Sequence, residues 1–310
     1  MKIIIIKKKL LANTVLYLSL FAVIITLIYF ISNNFESIQT ISPINISQDA
    51  HYDLTGDGIK ETLEMLNSQN KIDFNIKSSK YDYYLSNEIK DKTLFTINNH
   101  WEPKVFIHDI SRDNIPEIIL IGSKDNKPTS YIFHWNKDKF NLISSNQNNI
   151  SGILDCKNSR TPQFYSLLSS EGLSSLKSFM LINNKSLDTS KENVTLPSLD
   201  SATQFINLIE FQYLPDDLPG IFTSTIDKNN LSLLWTLDKE NYSYTFQNAF
   251  FYDYRWNDSG EPSSIRWRLS FEKSDKKGSN AGKSELVLLI DLNLDQIDSS
   301  YKINSIQKIS

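Results

Sequence analysis

From residue 49 onward, apolar and polar positions alternate in short bursts. Lys71-Ile72-Asp73-Phe74-Asn75-Ile76-Lys77 is a period-two run, which predicts a strand with one face buried. Tyr81 to Leu85, Thr93 to Ile97 and Lys104 to His108 are shorter runs rich in aromatic and β-branched residues, and each predicts a further strand. After Glu117 the chain is continuously apolar to Ile121, as expected of a strand covered on both faces. Tyr131-Ile132-Phe133-His134-Trp135 turns through Asn136-Lys137-Asp138-Lys139 into Phe140-Asn141-Leu142-Ile143, the pattern of a hairpin. Residues 49–145 therefore read as a small antiparallel β domain.

The pattern then changes twice. In residues 146–197 Ser, Asn and Lys are frequent and apolar segments are short (Phe164 to Leu168, Phe179 to Ile182), so this part reads as a connection with a few strands. Ser198-Leu199-Asp200-Ser201 offers helix-capping residues, and Phe205, Leu208 and Ile209 follow at helical spacing until Pro215. Asp216 to Ile226 suggests a second short helix. Leu231 to Leu237, Tyr242 to Phe246, Phe250 to Trp256, Ser264 to Phe271 and Glu285 to Leu292 are strand-like segments joined by turns. Helices followed by an antiparallel sheet predict an α+β domain over 198–310, and its element order resembles cystatin-like or nuclear-transport-factor-like domains. The expected fold class of the whole is α+β with a mainly β body.

The N-terminus carries a different signal. Met1 to Lys9 holds four lysines and no acid, and Leu10 to Ile31 is a run without charge. As a helix it would rise roughly 33 Å, against a bilayer core of about 30 Å. This predicts a transmembrane signal anchor at 10–31, with a cytoplasmic basic tip at 1–9 and a spacer at 32–48. Localisation follows: a single-pass cell-membrane protein, the membrane its first partner, with an extracytoplasmic C-terminal body. A cleaved signal peptide is the rival, but its apolar stretch is usually about 7–15 residues and ends in a small-residue site. Here the run ends Ile28-Tyr29-Phe30-Ile31-Ser32-Asn33-Asn34, without Ala-x-Ala.

Setting aside the four lysines of the tip leaves 28 basic against 36 acidic residues. An acidic body disfavours nucleic acid as a partner and suits a cation. The one cysteine, Cys156, excludes an internal disulfide. Richness in Asn, Ile and Lys resembles bacterial proteins from AT-rich genomes.

Two acidic loops carry the clearest chemistry. Asp53-Leu54-Thr55-Gly56-Asp57-Gly58-Ile59-Lys60-Glu61 places oxygen-bearing side chains at alternate positions around a glycine turn, which is how a short loop wraps a hard cation. Asp109-Ile110-Ser111-Arg112-Asp113-Asn114-Ile115-Pro116-Glu117 is a second, weaker copy. The first matches EF-hand spacing as far as Glu64, yet no flanking helix pair is evident and Lys60 sits where that loop has an isoleucine. It more closely resembles the calcium loops of VCBS and FG-GAP repeat proteins. That resemblance covers residues 49–145 and implies Ca2+ held by Asp53, Thr55, Asp57, the Ile59 carbonyl and Glu61. It implies a weaker second set of Asp109, Ser111, Asp113, Ile115 and Glu117. Without metal, both loops also read as turns in which Asp bonds nearby amides.

Other constellations carry less. The histidines His51, His100, His108 and His134 lack metal-motif spacing. Gly-x-Ser-x-Gly and phosphate-loop motifs do not occur. Tyr252, Tyr254, Trp256, Arg266, Trp267 and Arg268 suggest an aromatic and cationic binding surface, or cross-strand packing that covers a sheet. The function expected is therefore non-catalytic: binding or scaffolding at the cell envelope, through contact with a protein or polysaccharide. The alternative is an envelope hydrolase or small-ligand binder with a pocket in the C-terminal domain.

Overall fold

The computed structural model describes residues 41–44, 50–155, 162–277 and 282–309, together with Tyr17, Ser19, Leu20, Phe21, Val23, Ile24 and Thr26. The chain divides into two units, Met1–Gln39 and Thr40–Ser310. In the first unit the seven described residues are helical. Among the described residues no helix is long and apolar enough to cross a membrane. This overturns the transmembrane signal anchor expected at 10–31, and the membrane placement with an extracytoplasmic body falls with it. A span takes a continuous helix of about 20 apolar residues, and only seven positions of this run are described. The other positions of 10–31, the tip 1–9 and most of the spacer 32–48 lie outside the described residues.

The second unit opens with two antiparallel meanders. β1 (Ala50–Tyr52), β2 (Glu61–Ser68), β3 (Lys71–Lys77) and β4 (Asp82–Tyr84) pair in chain order, and β5 (Phe95–Thr96) also pairs with β3. β6 (Lys104–His108), β7 (Glu117–Lys124), β8 (Lys127–Asn136) and β9 (Lys139–Asn146) make the second. The hairpins β2–β3 and β7–β8 turn through Gln69-Asn70 and Asp125-Asn126, and all four residues have positive φ. Two such residues give a turn whose twist matches the flanking strands.

Residues 146–197, expected as a connection, supply a third meander: β10 (Ile150–Leu154), β11 (Gln163–Leu167), β12 (Lys177–Ile182) and β13 (Lys185–Asp188). Two helices follow, α1 (Leu199–Glu210) and α2 (Lys228–Thr236). Then come four strands, β14 (Tyr242–Trp256), β15 (Pro262–Asp275), β16 (Ser284–Leu294) and β17 (Tyr301–Ile309). β14 lies parallel to β10, with Ile150 opposite Ala249, so the last eight strands form one sheet in the order β13-β12-β11-β10-β14-β15-β16-β17.

This corrects the α+β, cystatin-like reading. Strands dominate, and β14–β17 are half of a larger sheet. The strand expected at Leu231–Leu237 is the end of α2, which begins where the Asp227 side chain accepts the Asn229 amide at 2.8 Å. The helix expected at Asp216–Ile226 is a series of turns.

Period-two burial assigns each strand face to a core. Ile118 and Leu120 of β7 and Tyr131 and Phe133 of β8 face the first meander, against Leu63, Phe74 and Phe95. Ile119, Ile121 and Ile132 face the opposite way, against Ile153, Phe164, Phe250 and Tyr252 of the eight-stranded sheet. The far face of that sheet packs on Phe205, Ile206 and Ile209 of α1 and Leu234 of α2. The second meander is thus covered on both sides, which explains why β7 reads as a continuous apolar run. α1 is bolted to the sheet at its start. Ser198 has a left-handed backbone (φ 67°), and its hydroxyl accepts the buried Trp267 indole N–H at 2.8 Å.

Candidate functional site

The two acidic loops fold alike. In the first, Asp53 accepts the amides of Gly56 (2.7 Å) and Gly58 (2.9 Å). Asp57 accepts that of Ile59 (2.9 Å) and Glu61 that of Leu54 (2.7 Å). In the second, Asp109 accepts the amides of Arg112 (2.7 Å) and Asn114 (3.0 Å). Asp113 accepts that of Ile115 (2.9 Å) and Glu117 that of Ile110 (2.6 Å). Gly56 and Gly58 have φ of 73° and 81°, and Arg112 and Asn114 have 62° and 69° at the same places. Each loop bridges two strands of its meander, and its final glutamate is buried as the first residue of β2 or β7. The loops also touch: a Cβ on Gly56 would lie 2.7 Å from Ile115 Cγ1.

They differ in what faces the middle aspartate. Lys80 donates to Asp57 Oδ2 at 3.1 Å. The Ile59 amide and then Lys80 hold the Asp57 carboxyl below its ordinary range. Position 80 corresponds to Asn136 in the second copy, and Ser78 corresponds to His134. His134 is fully buried on β8 across from Glu117, and its Nδ1 lies 2.7 Å from Glu117 Oε1. Its Nε2 lies 3.7 Å from Asp113 Oδ2, longer than a hydrogen bond, and has no hydrogen-bond partner among the described residues. Burial works against the charged imidazole, but Glu117 and then Asp113 outweigh it and hold the His134 pKa above its ordinary value.

Asp113, Glu117 and His134 bring potential ligand atoms within 4.8 Å of one another, and no other trio of His, Cys, Asp and Glu does so among the described residues. Asp53, Asp57 and Glu61, expected to share one ion, do not converge to that degree. Asp109 and Ser111 close the second loop from within, Ser111 donating to Asp113 Oδ1 at 2.8 Å.

A third instance of this spacing escaped the sequence reading. Asp155 directly follows β10, and Gln163, eight positions on, opens β11 as Glu61 opens β2 and Glu117 opens β7. Pro162 matches Pro116. The signal was an Asp after one strand with Glu or Gln opening the next, blurred because Gln163 carries no charge. Cys156 and the rest of 156–161 lie outside the described residues. Asp155 instead pairs with Arg112 of the second loop.

The aromatic and cationic set is not an open surface. Tyr252 and Tyr254 are buried toward the second meander, whereas Trp267 is buried on the helix side and stacks on Phe251 with centroids 4.6 Å apart. Arg266 makes two bonds to Asp291, at 2.6 and 2.8 Å, and Arg268 is buried. Trp256 alone of the six is exposed, its indole donating to Asp253 at 2.8 Å.

Two larger clefts border the meanders. One, of about 910 Å³, is walled by Glu88, Asp91, Lys124 and Lys127, and its Asp91 is already paired with Lys124 at 2.7 Å. The other, of about 650 Å³, lies between the loops and is lined by Thr55, Asp57, Lys80, Tyr81, Trp135 and Asn184. In the C-terminal half a hollow of about 280 Å³ lies beside Glu210 and Tyr242, short of the usual range of roughly 300–1,000 Å³ for a ligand site.

No protein-family model matches the chain, and no curated protein matches it significantly.

Proposed function

We propose that this chain is a non-catalytic binding or scaffolding protein built from acidic-loop β units of the VCBS and FG-GAP kind. Its first loop holds a structural Ca2+, and its acidic surface contacts a protein or polysaccharide. The observation that carries the reading is the repetition of four loop hydrogen bonds in two meanders. Such loops support a β framework. Asp57 Oδ2 is the oxygen a calcium ion would claim, and Lys80 is the group it would displace.

The test is thermal unfolding of the full chain in calcium and in chelator. Calcium at tenfold its dissociation constant stabilises by about 1.4 kcal/mol, or a rise of roughly 3–6 °C in Tm for a body of this size. Asp57→Ala should abolish the rise, and Lys80→Ala should produce it at lower calcium. A wild-type Tm indifferent to calcium would remove the ion from the reading.

A further inference from the structure

The second loop has an electrostatic problem that the first lacks. With Nδ1 set 2.7 Å from Glu117 Oε1, the imidazole of His134 turns its other nitrogen, Nε2, toward Asp113 Oδ2, 3.7 Å away and too far for a hydrogen bond. A buried ring nitrogen without a hydrogen-bond partner, aimed at a carboxylate oxygen beyond bonding reach, leaves a gap that a bound cation would bridge. The first loop solves the matching problem with Lys80; here position 136 is Asn, which brings no charge. Arg112, the nearby cation, is drawn off to Asp155.

From this geometry we propose that His134 Nε2 and Asp113 Oδ2 bind a divalent metal ion of borderline softness, best matched by Zn2+. Glu117 orients the ring. Both of its oxygens are engaged, one by His134 and one by the Ile110 amide at 2.6 Å, so it acts as the outer carboxylate of a carboxylate–histidine–metal arrangement. Asp113 is posed with one free oxygen, because Ile115 N and the Ser111 hydroxyl hold Oδ1 at 2.9 and 2.8 Å. Tetrahedral zinc at its usual bond lengths would hold the two ligand atoms about 3.4 Å apart. The exposed Asp113 side chain closes the remaining few tenths of an ångström by a small rotation. Asn184, in the β12–β13 turn beside the His134 ring, lines the cleft between the loops, which offers the site a second oxygen donor and a path from solvent. An imidazole ligand selects against calcium, which takes oxygen. The site is independent of the Ca2+ reading of the first loop.

Titration of the full-length protein with Co2+, a spectroscopic substitute for zinc, tests this. One equivalent should bind with visible d–d absorption that Zn2+ displaces and Ca2+ does not. His134→Asn and Asp113→Asn should each weaken binding at least tenfold, and Glu117→Gln about 10–100-fold. Asp57→Asn in the first loop should leave it unchanged. Asp113 is exposed, so its variant keeps the test valid if changes at buried His134 or Glu117 prevent folding. Failure to bind Co2+ and Zn2+, with NMR showing both His134 nitrogens protonated at neutral pH, would overturn the proposal. So would cobalt binding unmoved by Asp113→Asn, which would place the ion on other histidines.

Discussion

Alanine at the two glycines of the first loop separates backbone strain from steric contact. Both hold left-handed backbone, which costs a residue with a Cβ about 1–2 kcal/mol. Alanine recovers part of this, about 0.4–1 kcal/mol, by restricting the unfolded chain. At Gly58 (φ 81°) a Cβ meets nothing within 4 Å, so Gly58→Ala isolates the strain, for a net loss of about 1 kcal/mol. At Gly56 (φ 73°) the same Cβ lies 2.7 Å from Ile115 Cγ1 and 3.2 Å from Cδ1. Overpacking adds about 1–3 kcal/mol, so Gly56→Ala should cost about 2–4 kcal/mol. Urea denaturation of both variants measures the difference. Ile115→Ala removes the obstructing atoms, so in a double-mutant cycle Gly56→Ala should cost no more than Gly58→Ala in that background. Equal losses for the two single variants, or no rescue by Ile115→Ala, would refute the packing of one loop on the other.

Two further tests probe the eight-stranded sheet. Burial pushes the Asp253 carboxyl up to about 6, against opposing hydrogen bonds from Trp256 and the Asp155 amide. A folded pKa above the unfolded value means no penalty below about pH 4 and a loss of up to about 3 kcal/mol as pH rises through 6. The stability advantage of Asp253→Asn over wild type should therefore grow from near zero at pH 4 to about 2–3 kcal/mol at pH 7.5; a pH-independent difference in denaturant midpoints would contradict this. Ser198→Ala strands the buried Trp267 indole N–H and should cost about 1–3 kcal/mol. The penalty should vanish in a Trp267→Phe background, as measured by the same denaturation series.

From Lys71 onward the strands of the first two meanders were legible because most of their side chains follow the simplest rule, apolar in and polar out, whereas β1 and β2 were not picked out. Lys71–Lys77 and Lys104–His108 form at their expected bounds. The third meander was hidden because it breaks that rule. Gln163, Ser178, Thr189 and Asn193 are buried and bonded to one another, Ser178 to Thr189 at 2.9 Å and Thr189 to Gln163 at 3.1 Å. Hydropathy counts such residues as exposed, and only the folded register shows their partners. The same limit hid His134. Its partner Glu117 is set by cross-strand pairing, which motif spacing along one segment does not reveal. Arg266 and Trp267 looked like one surface because they adjoin in sequence, but successive residues of a strand point to opposite faces.

The parallel seam between β10 and β14 dictates an order of manufacture. As the chain leaves the ribosome, three meanders can assemble while the inner edge of β10 still waits for a strand encoded far downstream. Until β14 arrives, that edge is open to any passing strand, including that of a neighbouring nascent chain. A fragment cut before the helices would keep this vulnerability for good, so the chain tolerates division poorly even though its repeats look modular.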